Sequence, residues 1–143
     1  MVERSRFVRA PAAKALELLS DLSRISEYNQ DVSVTSAPVG AASVGQHFAL
    51  SLKSGPMRLS VTGHVLHVDA QGITLSLRSV LPAIERRSVD EAVNGCTVRW
   101  KVTFDVPFWA GGRFAEAWLF RPLTEKNLER ELSGVQRILE SAL

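Results

Sequence analysis

Apolar residues recur every three or four positions at both ends of this chain and every second position between them. Near the C-terminus Leu128, Leu132, Val135, Ile138, Leu139 and Ala142 fall on one stripe at about 100° per residue, with Glu129, Arg130, Gln136, Arg137 and Glu140 mostly off it. The spacing predicts a long helix over residues 113–143, laid on something apolar. N-terminal to Pro122, Phe114, Trp118, Leu119, Phe120 and Leu123 point round most of the circumference, so this arm needs neighbours on several sides. Pro122 removes the amide bond to the Trp118 carbonyl and crowds that turn, which predicts a bend between residues 119 and 124. Two readings stand there: a core helix that tolerates a proline, or a kink that opens the helix over a cavity.

Residues 2–9 alternate around Phe7 and stop at Pro11, which suits a first strand followed by a helix with proline at its first position. Ala12, Ala15, Leu16, Leu19 and Leu22 then recur at helical spacing. Leu22, Ile25 and Tyr28 predict a short second helix over residues 21–28. From Val32 onward the period is two. Phe48, Leu50 and Leu52 share one face, as do Met57, Leu59 and Val61, with Gly55 and Pro56 between them. A two-residue loop there sets Leu52 opposite Leu59 and Leu50 opposite Val61, which gathers the apolar residues on one face.

Farther along, the apolar set slips from Val61 and Val65 to Leu66 and Val68, a phase change that a β-bulge around Gly63 would absorb. Ile73, Leu75 and Leu77 continue the sheet after a turn at residues 70–72. Asn94 and Gly95 are the clearest turn signal, between a strand over residues 84–93 and one over residues 96–106 in which Cys96, Val98, Trp100, Val102, Phe104 and Val106 alternate with polar residues. The order is strand, two helices, about six strands in consecutive hairpins, and a long helix. That order makes an α+β fold, an antiparallel sheet with one face covered by the C-terminal helix.

Length and composition narrow the class. At 143 residues the chain suits one domain, expected to span residues 1–143. With 45% apolar and 22% charged residues it should fold rather than stay disordered. A net charge of +2 without a basic tract gives no reason to expect nucleic acid as a partner. Cys96 is alone, so neither a disulfide framework nor a thiolate metal cluster is expected. No apolar N-terminal region and no run of 18 apolar residues occurs, and the expected location is the cytoplasm, without integral membrane contact.

The opening RFVRAPAAKALELLSDLSRISEYN resembles the first strand and helix pair of the START-like (SRPBCC) superfamily, in particular its polyketide cyclase/dehydrase and lipid-transport branch. The ending LFRPLTEKNLERELSGVQRIL is similar to that branch's terminal helix, and the element order between them agrees. The resemblance implies a helix-grip: a curved sheet of about seven strands wrapped round the long helix, enclosing a cavity for apolar or amphipathic small molecules. It covers the whole chain, but Ala10-Pro11, Asp21 and Arg121-Pro122-Leu123 mark the fold and not a chemistry. Where relatives often carry tryptophan after the second helix, this chain has Tyr28.

No nucleophile–base motif, zinc-protease motif, dinucleotide fingerprint or phosphate loop occurs, and no catalytic residue is assigned. His64 and His67, three apart on a strand, should lie on opposite faces, so no metal is expected, and no cofactor either. One polar pair stands out. Counting back from a loop at Asn94 and Gly95 places Val89 opposite Trp100, Arg87 opposite Val102 and Glu85 opposite Phe104, so Glu85 and Arg87 point inward. A loop of odd length would instead turn Ile84, Arg86, Ser88 and Asp90 inward and leave the pair on a solvated face. An inward pair needs partners: each other, Arg121 or Thr124 on the long helix, or a polar ligand group such as an acidic head group held by Arg87. Phe108 and Trp109, beside Gly111 and Gly112, form either a gate or docking patch or a cap on the core.

The expected function is therefore binding or carriage of a hydrophobic or amphipathic small molecule (a lipid, a polyketide-like or an aromatic compound) in a cavity between sheet and helix. The cavity lining is expected from Ile25, Tyr28, Phe48, Leu50, Leu59, Val61, Leu75, Leu77, Glu85, Arg87, Trp100, Val102, Phe104, Trp118 and Arg121. Two alternatives stay open: a cyclase, aromatase or dehydratase using Glu85 or Tyr28 as acid or base, and a protein-interaction module with no ligand. Transient membrane docking and a homodimer are also open.

Overall fold

The computed structural model describes residues 1–54, 56–79, 82–104 and 121–141. Strand β1 (Val2–Val8) leads into α1 (Ala12–Ser20), a single 3-10 turn (Leu22–Arg24) and α2 (Ile25–Tyr28). Six strands follow: β2 (Val32–Ser36), β3 (His47–Ser54), β4 (Met57–Asp69), β5 (Gly72–Arg78), β6 (Pro82–Ala92) and β7 (Gly95–Phe104). Helix α3 is described over Arg121–Ser141. The strands form one antiparallel sheet in the order β1-β7-β6-β5-β4-β3-β2, so the first strand closes against the last and β2 is the other edge. This is the helix-grip arrangement: an open, curved seven-stranded sheet with the long helix against it.

The local chemistry accounts for the start of the chain. Pro11 stands at the N-cap of α1 in extended conformation, and its carbonyl accepts from Lys14 and Ala15. The Asp21 carboxylate then accepts from the Ser23 amide and hydroxyl, which ends α1 and turns the chain into α2. Of the periodic residues of both segments, Ala15, Leu19, Leu22, Ile25 and Tyr28 are buried, and Ala12 and Leu16 are partly buried against the same core. On α3, Leu128, Leu132, Val135 and Leu139 are buried as the stripe requires, and they join Trp100 and Val102 in one core.

Gly134 sets how closely α3 approaches. A Cβ at this position would overlap the backbone carbonyl of Tyr28, so α3 comes nearer to α2 than any larger residue would allow. Across the sheet edge, Arg4 and Arg6 of β1 reach Glu125 and Glu129, with Arg4 at 3.3 Å from Glu125 and Arg6 at 3.0 Å from Glu129. Such half-exposed pairs contribute about 0–1 kcal/mol each, so they align the helix on the edge strand rather than hold it.

The hairpin register expected around Pro56 holds, with Leu52 opposite Leu59 and Leu50 opposite Val61. Three other expectations are corrected. The β7 register is two residues off: Ala92 pairs with Gly95, so Val93 and Asn94 form the loop, with Asn94 at φ 62°. Arg87 accordingly faces Trp100, and Glu85 faces Val102. Gly95 is needed not for the turn but because a side chain there would meet the Val8 carbonyl and the Phe7 ring.

The bulge in β4 falls between Val65 and His67, not at Gly63. Gly63 is in regular register and is required because the Phe48 ring and the Ser76 carbonyl fill the space of its missing side chain. Since His64 pairs with Ser76 and His67 with Thr74, the extra residue puts both histidines on the outer face, against the expectation from simple alternation. The expected bend near Pro122 depends on residues 119 and 120, which lie outside the described residues, as do the whole of 105–120 with the Phe108-Trp109 loop and Trp118.

Replacing Gly134 by Ala tests the close approach. Alanine is the better helix former by about 1 kcal/mol, yet its methyl group meets backbone that cannot swing aside. We expect a net loss of about 1–3 kcal/mol in urea unfolding. A neutral or stabilising Gly134→Ala would contradict the packing described.

Candidate functional site

The inner face of the sheet is built by strict alternation. Phe48, Leu50 and Leu52 of β3 stand beside Val61 of β4, Leu75 and Leu77 of β5, and Val102 and Phe104 of β7. With Ile25 of α2, Val32 of β2 and Leu128 of α3 they line a cavity of about 140 Å³ between sheet and helix. That is about the space a benzene-sized ring occupies. The polar part of its wall is Glu85 and Arg87 from β6 and Thr124, Asn127 and Glu131 from α3.

Glu85 and Arg87 lie two apart on one strand, so the pleat turns both the same way, and both are buried, at 5% and 3% exposure. Arg87 is the hub of the group. Its Nε donates to Glu85 Oε1 at 3.2 Å, one terminal nitrogen donates to the Tyr28 hydroxyl at 2.7 Å, and the other lies 3.5 Å from Glu131 Oε2. Its guanidinium carbon sits 5.1 Å from the ring centroid of Trp100, its partner across the strands, in a cation–π arrangement. Asn29 donates to Asn127 Oδ1 at 3.0 Å and ties the end of α2 to the same turn of α3.

The electrostatics follow from burial. For Arg87 desolvation alone would lower the pKa, but Glu85, the Tyr28 hydroxyl and Glu131 outweigh it and hold the guanidinium charged. Burial pushes the Tyr28 phenol well above its usual range, against the pull of Arg87, so the phenol stays neutral. Burial also raises the Glu131 carboxyl, Arg87 pulls it back down, and the nearby Glu85 charge adds to the rise. The Trp100 indole N–H and the Asn29 amide lie close enough to favour the charged form of Glu131. The indole N–H, though, has no partner at hydrogen-bonding geometry among the described residues and is a buried donor left unmatched there. Two carboxylates around one guanidinium leave a negative charge uncompensated unless Glu131 carries a proton.

Of the residues expected to line the cavity, Ile25, Phe48, Leu50, Val61, Leu75, Leu77, Glu85, Arg87, Val102 and Phe104 are brought together there. Tyr28 and Trp100 stand behind Arg87 as its supports and do not form the wall, and Leu59 lies along β4 away from it. Arg121 is exposed and donates to the Met1 carbonyl at 3.0 Å, so it is no partner for the buried pair. Trp118 lies outside the described residues. The expected lining left out Val32, Asn127 and Glu131, and also Leu52 and Thr124, although alternation puts Leu52 on the face of Phe48 and Leu50 and Thr124 was a candidate partner for the inward pair. A signal for Glu131 existed: it is three residues after Leu128 and four before Val135, on the buried stripe itself. A larger depression of about 410 Å³ lies on the opposite face of the sheet, where the rings of His47 and His64, tilted to each other with centroids 5.6 Å apart, lie beside Arg78. It shares no polar group with the cavity.

Comparison with known proteins decides the family. The family model described as polyketide cyclase / dehydrase and lipid transport matches residues 1–140. The chain belongs to this family. Solved structures share its fold at low identity. The KanY protein has a TM-score of 0.74 at 17% identity, over 96% of this chain and 95% of that one. Protein CV1439 from Chromobacterium violaceum has a TM-score of 0.73 at 13% identity, over 97% and 96%. DynU16, from the dynemicin biosynthetic locus, has a TM-score of 0.70 at 12% identity, and the match takes 99% of this chain but 47% of that one. No curated protein matches the sequence. Among the described residues no helix is long and apolar enough to cross a membrane.

Replacing Arg87 by Met would leave Glu85 and Glu131 buried without their cation. The expected loss is about 3–5 kcal/mol near neutral pH, against less than 1 kcal/mol for a solvated arginine. Its pH dependence has a definite sign. A carboxyl whose folded pKa lies above its unfolded value binds more protons in the folded state, so its stabilising contribution is complete at low pH and declines as pH rises through the folded value. The deficit of Arg87→Met should therefore shrink on acidification, and Glu131→Gln should remove the wild type's decline above the ordinary glutamate range. Urea unfolding across pH checks both. A pH-independent deficit would contradict the assignment.

Proposed function

We propose that this protein binds a hydrophobic or amphipathic small molecule in the cavity between sheet and α3, with an apolar ring-sized portion among Leu50, Leu75, Leu77 and Phe104 and a polar end at Glu85, Arg87 and Glu131. The observation that carries this reading is a void of about 140 Å³ with an apolar lining and a charged group at one wall. Sites of this composition use apolar surface for affinity and a few fixed polar atoms for orientation. Family membership supports the same reading, since its description joins lipid transport to polyketide cyclisation. Carriage of a lipid would require the cavity to widen, because a long acyl chain exceeds the space seen here. The void weighs against a ligand-free interaction module, whose interior should be filled by side chains.

A cyclase or dehydratase is the second reading, and one observation favours it. Glu131 lines the cavity, and burial raises its carboxyl above the usual glutamate value, which favours the protonated form a general acid needs. It is a better candidate than Glu85, which Arg87 clamps, or Tyr28, which stands behind Arg87.

Ligand-observed NMR with benzyl alcohol, a neutral ring-sized probe, tests the first reading. Saturable binding is expected, and Leu77→Trp, which fills the cavity from β5, should weaken it about tenfold or more while the protein stays folded. Absence of saturable binding to the wild type would contradict the proposal, as would equal binding to the filled variant.

A further inference from the structure

The polar end of the cavity is unbalanced in what it offers. Each of the three nitrogens of Arg87 already faces a partner, Glu85, Tyr28 or Glu131, and the Trp100 ring is stacked close to the guanidinium. A ligand carboxylate would have to displace one of these, and it would bring a third negative group to a single cation. That weighs against Arg87 as the anchor of an acidic head group. The carboxylates are in the opposite condition. Glu85 receives Arg87 on Oε1, while Oε2 accepts from no described residue. Glu131 has Arg87 at 3.5 Å, with the Asn29 amide and the Trp100 indole N–H nearby. An ionised carboxylate has about four acceptor positions, so both retain capacity on the side of the cavity.

The groups that face Glu131 are Arg87 and Glu85 from β6, Tyr28 at the end of α2 with Asn29 beyond it, and Trp100 from β7. Thr124 and Asn127 on α3 add neutral polar atoms to the same wall. Among the described residues, Arg87 is the only cation of the cavity lining. A second cation brought by a ligand would therefore match the second carboxylate.

We propose that the cavity selects an amphipathic molecule whose polar end is a protonated amine or similar organic cation, received by Glu85 and Glu131, and discriminates against carboxylates of the same size. This rests on the cavity-binding reading above and names its ligand class. In the empty protein a proton on Glu131, favoured by its burial and by the Glu85 charge, would relieve the imbalance. The incoming ammonium replaces that proton as the counter-charge, and the proton leaves to solvent. Affinity for the amine should then rise as pH increases through the titration of Glu131, over a range in which the amine itself remains protonated.

Benzylamine, benzyl alcohol and benzoate, close in size and alike in their ring, provide the test. Dissociation constants are measured for the wild type and for Glu131→Gln from about pH 5 to about pH 8. The expected result is wild-type benzylamine binding about tenfold or more tighter than benzyl alcohol, with benzoate weakest of the three. The amine's advantage should grow with pH, and Glu131→Gln should lose both the advantage and its pH dependence. Benzoate binding as well as benzylamine, or benzylamine no better than benzyl alcohol, would overturn the amine proposal while leaving the cavity reading intact. If the wild type took up none of the three, both would fall. The wild-type ranking needs no variant, so it decides the proposal even if Glu131→Gln does not fold.

Discussion

The structure turns on the need to pair the Arg87 guanidinium, which the fold holds out of water. An unpaired charge in a protein interior costs several kcal/mol, more than any surface ion pair of this protein can offset. Meeting that need takes a neighbour on the same strand, Glu85, a phenol from α2, an indole from β7 and a carboxylate from α3. One side chain thus fixes three elements relative to β6. Gly134 makes the arrangement reachable, because its missing Cβ lets α3 come down onto the Tyr28 carbonyl one turn beyond Glu131.

The same arrangement leaves space. A cavity of about 140 Å³ between sheet and helix leaves part of its apolar wall without packing partners. A fold that carries such a void beside a buried ionic cluster forgoes stability that plain side-chain packing would supply, and a bound ring would recover much of it. Burial and charge then divide the work within the site. The apolar wall determines how large a group enters, and the surplus of carboxylate over guanidinium determines which polar group is preferred.

Much of this could be read from residue order. Alternation from Cys96 to Phe104 and the Leu128–Leu139 stripe were enough for the elements, their order and the faces that meet. The inward direction of Glu85 and Arg87 was legible through parity alone. Taking Asn94 and Gly95 as the loop gave a register wrong by two residues, and an even error leaves every side chain on its proper face. The β4 bulge was misplaced for the opposite reason. Gly63 looks like a backbone irregularity in sequence, but it answers to the Phe48 ring from a neighbouring strand, which local pattern does not contain. Glu131 was the largest omission: a glutamate on a helix is ordinarily solvated, and only the position of Arg87 across the fold makes its burial tolerable.

The most direct test of the account is a methyl NMR titration of the protein with benzyl alcohol. If the cavity between sheet and α3 is the binding site, the methyl groups of Leu50, Val61, Leu75, Leu77 and Leu128 shift together along one saturable isotherm, while those of Val39, Val44 and Leu66, exposed away from it, stay fixed. Shifts confined to the exposed methyls, with the five cavity methyls unmoved at saturation, would contradict it.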